Sequence, residues 1–230
     1  MTQPTVVLAL GGSLLNEAIE SDWTKAVRGL FTETDARLAV VVGGGRAARA
    51  GIELARHGSD DDDALDWVGI SATRLNASVL RCWLGHRQGE PVRGIPSTIE
   101  EAIIELEEKG RCIMGGTHPG HTTDAVAVRL AAAAGAGRCI IATNVSHVYS
   151  ADPRLEPEAE RFDELTHDGL IEIVGTEHRP GTSTVVDPVA AAVSKEHRLE
   201  LCVLDGLHPE RIGAALSGGT FEGTCIRTVT

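Results

Sequence analysis

Three glycine-rich turns carry the strongest chemical signal in this chain. Gly11-Gly12-Ser13, Gly43-Gly44-Gly45 and Gly115-Gly116-Thr117 each follow a short apolar run. Glycine lets backbone N–H groups come close to a phosphate, and a helix N-terminus beyond the turn adds partial positive charge. Any one turn alone is as well explained by tight packing of a strand against the next helix. Three at corresponding strand ends point to a large anionic ligand, because open α/β sheets bind ligands beyond the carboxyl ends of their strands. Neither GxxxxGK[ST] nor a complete GxGxxG is present, so the pattern is not that of a P-loop or a Rossmann site.

The third turn continues as GGTHPGHTTDAVA, Gly115 to Ala127. Thr122 and Thr123 are placed to cap a helix starting near Asp124 while offering hydroxyls and N–H groups to a phosphate. Asp124 in a first helical turn also suits the helix dipole as a plain structural acid. His118 and His121, three apart on a Pro/Gly loop, make a weak metal signal; packing or substrate contact is the favoured reading, and no metal site is assigned. A fourth stretch, ATNVSHVYSADPR, ends a strand at Thr143-Asn144 and then brings Tyr149 and Asp152-Pro153. Tyr149 is the sole tyrosine. It either flanks a nucleobase or packs as a half-buried loop aromatic.

These residues need elements to hold them. Unbroken apolar runs bounded by glycine predict buried parallel strands at Thr5–Leu10, Leu38–Val42, Arg111–Met114 and Gly137–Thr143, with later ones at Leu199–Leu204 and Thr224–Val229. Helical composition is read over residues 22–34, 46–57, 64–84, 97–109 and 123–134, and in shorter pieces over 163–174, 187–197 and 208–216. The alternation predicts an α/β fold, a three-layer αβα sandwich around a mostly parallel sheet. The polar stretch Arg154–Asp163 marks a division into 1–153 and 154–230, expected as two lobes of one continuous sheet. Asp60–Asp63 reads as a solvated helix entry.

At 230 residues with 42% apolar composition, the chain can bury a real core, which excludes disorder as its main state. Thirty-three acids against 21 bases give a net charge of -12, a poor match to a nucleic-acid backbone. Three of the bases are lysines (Lys25, Lys109, Lys195) and the other 18 are arginines. That bias fits a GC-rich genome, adaptation to high salt, or both. The five cysteines form no close pair; Cys112, Cys139 and Cys202 lie in apolar runs and read as buried free thiols of a reducing cytosol. No signal peptide and no membrane-length apolar segment is visible, so a cytoplasmic protein is expected.

In order, GGSLL, VVGGGRAAR, LDWVGISATRLNA, MGGTHPGHTTDAVA, ATNVSHVYSADP, STVVDPVAA and FEGTCIR resemble the amino-acid kinase superfamily, and within it the archaeal-type uridylate kinases. The resemblance spans nearly the whole chain, and GGTHPGHTTDAVA is its most specific part. It implies an αβα sandwich that uses ATP and Mg²⁺ to phosphorylate UMP to UDP, assembled as a dimer-based hexamer. It puts Gly12 and Ser13 near the ATP phosphates, Gly44 on UMP, and Gly45 and Arg49 along the phosphates. It gives Asp66 to the UMP ribose. Thr117, His118, Pro119, Gly120, His121, Thr122 and Thr123 enclose the UMP phosphate and base. Thr143, Asn144, Tyr149 and Asp152 take the ATP adenosine side, and Asp124 organises the reaction centre; Arg46 or Arg49 has to supply the positive charge there. The chain departs from the pattern in three places. Ala9 and the region of Ala192 stand where many members carry lysine, and Ser146-His147 replaces Asp-Gly. Two alternatives stay open: a non-catalytic nucleotide- or oxyanion-binding relative, like the molybdenum-storage proteins, and a kinase for another small phosphate such as isopentenyl phosphate. Against the latter, the loop after strand two has no histidine, and Asp66 suits a ribose. Leu65–Leu84 is a candidate dimer face.

Overall fold

In the computed structural model, residues 3–17, 21–84, 94–153, 155–175 and 185–228 are described. The expected strand end Val229 and the boundary residue Arg154 lie outside them. The elements run β1 (Thr5–Leu10), α1 (Gly12–Glu17), α2 (Ser21–Glu33), β2 (Arg37–Val42), α3 (Gly45–Arg56), α4 (Asp62–Leu84), α5 (Ile99–Lys109), β3 (Arg111–Met114) and α6 (Thr123–Ala133). They continue as β4 (Arg138–Thr143), β5 (Val148–Tyr149), β6 (Arg161–Phe162), β7 (Glu164–Thr166), α7 (His167–Val174), α8 (Pro188–Glu196), β8 (Glu200–Asp205), α9 (Pro209–Ser217) and β9 (Thr224–Arg227).

Strand alternation builds two cores. In β1, Val7 and Ala9 face one way while Val6, Leu8 and Leu10 face the other. The same split recurs in β2 (Ala39, Val41 against Leu38, Val40, Val42), in β4 and in β8. Successive side chains leave a strand on opposite faces, so a continuous apolar run is what a strand covered on both sides requires. One face packs on α5, α6, α7 and α8 through residues such as Leu106, Leu130, Leu170 and Ala190. The other packs on α1, α2, α4 and α9 through Leu14, Val27, Leu80 and Ile212. Helix α3 has no buried residue and lies outside α4.

The seven-stranded sheet has the order β3-β2-β1-β4-β8-β9-β7. All pairings are parallel except β8 with β9. The sheet takes strands from both sides of residue 154. Several sequence expectations are corrected here. The predicted helix over 163–174 starts only at His167, because Glu164–Thr166 pair with β9 as an edge strand. Helix α1, directly after the first glycine turn, was not anticipated. Nor was the two-stranded β5–β6 hairpin, whose Arg161-Phe162 half lies inside the expected boundary. Thr224, wholly buried, pins that hairpin: its hydroxyl accepts from the Val148 N–H (2.8 Å) and donates to the Phe162 carbonyl (2.5 Å). Cys112, Cys139 and Cys202 are buried free thiols, and burial pushes the Cys112 thiol up to about 12. No helix among the described residues is long and apolar enough to cross a membrane.

Candidate functional site

The carboxyl ends of β1, β2, β3 and β4 meet at one edge, and the glycine turns follow three of them. The ladder extends into the turns: the Gly11 N–H donates to the Ala142 carbonyl (2.8 Å) and the Gly43 N–H to the Leu10 carbonyl (2.9 Å). The first two turns interlock. A Cβ on Gly12 would stand 2.3 Å from the Gly43 oxygen and 2.4 Å from the Gly45 nitrogen. Gly45 has φ +55°, and its own Cβ would meet the Gly12 carbonyl. Only glycine fits both places. Thr143 joins them at the end of β4, where its carbonyl accepts from Gly206 N–H (2.7 Å).

Helix α4 ties this arrangement to the third turn. The buried Thr73 hydroxyl donates to the Ile70 carbonyl (2.6 Å) and accepts from the Gly116 N–H (2.7 Å). Arg74 donates from Nε to the Gly116 carbonyl (3.2 Å) and from Nη2 to the Thr117 carbonyl (3.1 Å). Asn76 Nδ2 donates to the carbonyls of Gly43 (2.8 Å) and Gly44 (3.0 Å). Asp66, about two to three turns earlier, accepts from the Gly120 N–H (2.8 Å) and so anchors the His118–His121 loop. Asp66, Thr73 and Asn76 fall on one stripe of the helix. Sequence reasoning singled out Asp66 and passed over Thr73, Arg74 and Asn76. Their signal was present: a buried-side threonine and asparagine are weak helix formers inside a long helix.

On that loop the His118 and His121 rings lie 3.9 Å apart at a 49° tilt. Burial first, then His118 and Arg129, lowers the pKa of His121. Among the described residues no group of three histidines, cysteines or acids could cage a metal. Thr122 caps α6 by accepting from the Ala125 N–H (3.2 Å), and Asp124 lies in the first turn. Burial, reinforced by the Asp187 charge, pushes the Asp124 carboxyl up to about 7. Asp187 is itself buried; it caps α8 by accepting from the Val189 and Ala190 N–H groups (2.8 and 3.1 Å). The sequence showed Asp187 only as an acid before proline, the form of an ordinary helix start.

The remaining expected residues lie around this edge. Gly44 is the N-cap of α3, and the following Arg46 and Arg49 are exposed on its first turns. Ser13 sits in the first turn of α1. Asn144 is exposed, and Tyr149 is half-buried on the hairpin with its hydroxyl 3.1 Å from Ser146 Oγ. Asp152 follows the hairpin's first strand, its carbonyl accepting from Leu155 and Glu156. His147, where Asp-Gly gives way to Ser-His, is buried with Nε2 3.4 Å from Asp163 and its pKa lowered mainly by burial. Ala9 is buried in the apolar face toward α6, and Ala192 is exposed. No lysine substitutes for either: Lys25 pairs with Asp22, Lys109 with Glu105 and Lys195 with Asp168 (3.4, 3.0 and 2.5 Å).

Residues 4–205 match the sequence pattern of the amino acid kinase family. The chain is 40% identical over 226 residues to uridylate kinase of Methanospirillum hungatei, covering 97% of this chain and 94% of that protein. It is 39% identical over 229 residues to uridylate kinase of Methanococcus maripaludis, covering 96% and 98%. The crystal structure of uridylate kinase from Archaeoglobus fulgidus superposes with a TM-score of 0.82 at 37% identity, over 96% of this chain and 99% of that one. UMP kinase of Bacillus anthracis has the same fold, with a TM-score of 0.76 at 19% identity over 100% and 98%.

Proposed function

Because the chain belongs to the amino acid kinase family, we propose that it is a UMP kinase, moving the terminal phosphoryl group of ATP onto UMP to release UDP and ADP. The observation that carries this reading is the convergence of three glycine turns and the N-terminus of α6 at one sheet edge. Phosphoryl transfer needs in-line placement and stabilisation of charge more than covalent help from the protein. Backbone amides and helix N-termini supply both without a net positive protein.

Gly12, Ser13 and Gly45 line the ATP phosphates, with Thr143, Asn144, Tyr149 and Asp152 on the adenosine side. Gly44, Asp66 and the Thr117–Thr123 loop (Thr117, His118, Pro119, Gly120, His121, Thr122, Thr123) hold UMP. Asp124 orients the reaction centre, and Arg49 is the cation that draws the phosphates. UMP needs no dedicated base, since its phosphate is ionised near neutrality. Mg²⁺ bound with the triphosphate would supply positive charge against its oxygens. The residues fit it: Asp124 and Asp187 form an acid pair whose mutual repulsion a cation relieves, and Mg²⁺ is commonly held by one or two carboxylates plus phosphates. We further propose a cytoplasmic homo-oligomer, a hexamer built from dimers. Exposed Leu54 on α3 and Trp67 and Leu75 on α4 support an interface there.

A coupled assay with MgATP and a panel of UMP, CMP and isopentenyl phosphate tests the reading, run from low salt to molar salt. UMP turnover well above the other two is expected. Absence of UDP at every salt concentration rejects it. One observation favours a second reading, a non-catalytic nucleotide or oxyanion binder: Ala9 and Ala192 leave the site without lysine, and all three lysines are paired elsewhere. Tight calorimetric binding of ATP or UMP without transfer identifies that case.

A further inference from the structure

The bonds from α4 fix more than the position of the glycine turns; they fix which way the peptide planes face. In a planar trans peptide, the carbonyl and the next residue's N–H point in opposite directions, and the described residues contain no cis bond. Asn76 holds the carbonyls of Gly43 and Gly44 toward α4, so the N–H groups of Gly44 and Gly45 face away from it. The Gly45 nitrogen correspondingly lies against Gly12 of the first turn. Arg74 does the same to the carbonyls of Gly116 and Thr117, turning out the N–H groups of Thr117 and His118. The Gly44 carbonyl also accepts the first bond of α3, from the Ala48 N–H (3.1 Å), whereas the Gly43 carbonyl takes its bond from Asn76; glycine has little intrinsic preference among peptide orientations, so that outside bond sets the Gly43–Gly44 peptide plane.

We propose that Asn76 is a positioning residue for phosphoryl transfer: its amide clamps two glycine carbonyls so that two consecutive N–H groups face the phosphates. Arg74 is the matching clamp on the third turn, and one helix therefore aims both sets of donors. The inference rests on the kinase reading for the identity of the anion. The arrangement requires a side chain that donates to carbonyl oxygens. Aspartate has the same shape but offers only acceptors, so it opposes the two carbonyl oxygens. Serine is smaller but keeps one donor.

The test compares Asn76→Asp and Asn76→Ser with wild type by steady-state kinetics on MgATP and UMP, with a thermal melt to establish folding. If Asn76 only fills space, the isosteric Asp is the milder change. If it aims the turn, Ser is milder. We expect Asp to lower kcat about 100-fold, the scale of losing a preorganised anion donor, with smaller changes in KM. Ser should stay within about tenfold of wild type, since it retains a hydroxyl donor. Asp within about threefold of wild type, or Ser falling as far as Asp, overturns the proposal. If wild type itself shows no turnover, the kinase reading fails, and Asn76 is then judged by calorimetric affinity for MgATP. A weakening of about tenfold or more in the Asp variant, about one decade in Kd, upholds the clamp, and equal affinity rejects it.

Discussion

Asp124 has a carboxyl that ordinarily titrates at 3.8 and is raised to about 7 by burial and by Asp187. Below about pH 4 it is protonated in both folded and unfolded chains and has no effect on stability. Between that point and about pH 7 the unfolded chain releases its proton while the folded chain keeps it, so stability falls as pH rises. Above pH 7 the full penalty remains, on the order of a few kcal/mol. Asp124→Asn, neutral throughout, is therefore expected to melt at higher temperature than wild type at pH 8 and at nearly the same temperature at pH 4. Melts of the ligand-free proteins check this. The same variant should lose about 100-fold or more in UDP formation, the usual sign of a site whose strain serves activity.

At the scale of elements, the N-terminus of α8 carries a charge that both stabilises and burdens. Asp187 satisfies two orphan amides of that helix while raising the energy of Asp124's charged form. Asn caps as well as Asp, so Asp187→Asn should leave the cap intact, lower the Asp124 pKa and narrow the pH range over which stability declines. Asp187→Ala should also cost about 1–2 kcal/mol for the lost cap. NMR titration of Asp124 with denaturant melts separates the two effects. Much of this was legible in the sequence, for physical reasons. Apolar runs in β1, β2, β4 and β8 had to be covered on both faces, and Thr122 in TTD read directly as a cap. Strands of two or three residues, such as β5, β6 and β7, are too short to show a period. The role of α4 was hidden because Thr73, Arg74 and Asn76 act on turns about 30 to 40 residues away in sequence. Asp187 acts on Asp124 only once α8 packs on α6.

For the whole molecule, stability rests on the two apolar layers. Leu130 is fully buried among α6, the sheet and α8. Leu130→Ala should cost about 2–5 kcal/mol and lower Tm by about 5–15 °C, with kcat on UMP little changed at permissive temperature. A melt and an assay on one sample decide it. The sheet runs across residue 154, since β8, β9 and β7 extend the sheet of β1 to β4. The placement of Thr224 adds a consequence for biosynthesis. Its hydroxyl is the pin between Val148 and Phe162, yet it follows both strands of that hairpin by more than 60 residues. As the chain emerges from the ribosome, the segments bearing the glycine turns are available to collapse onto β1 and β2 first. The hairpin must wait, unpinned, until residue 224 leaves the exit tunnel. A residue made long after both strands of the hairpin therefore fixes their pairing.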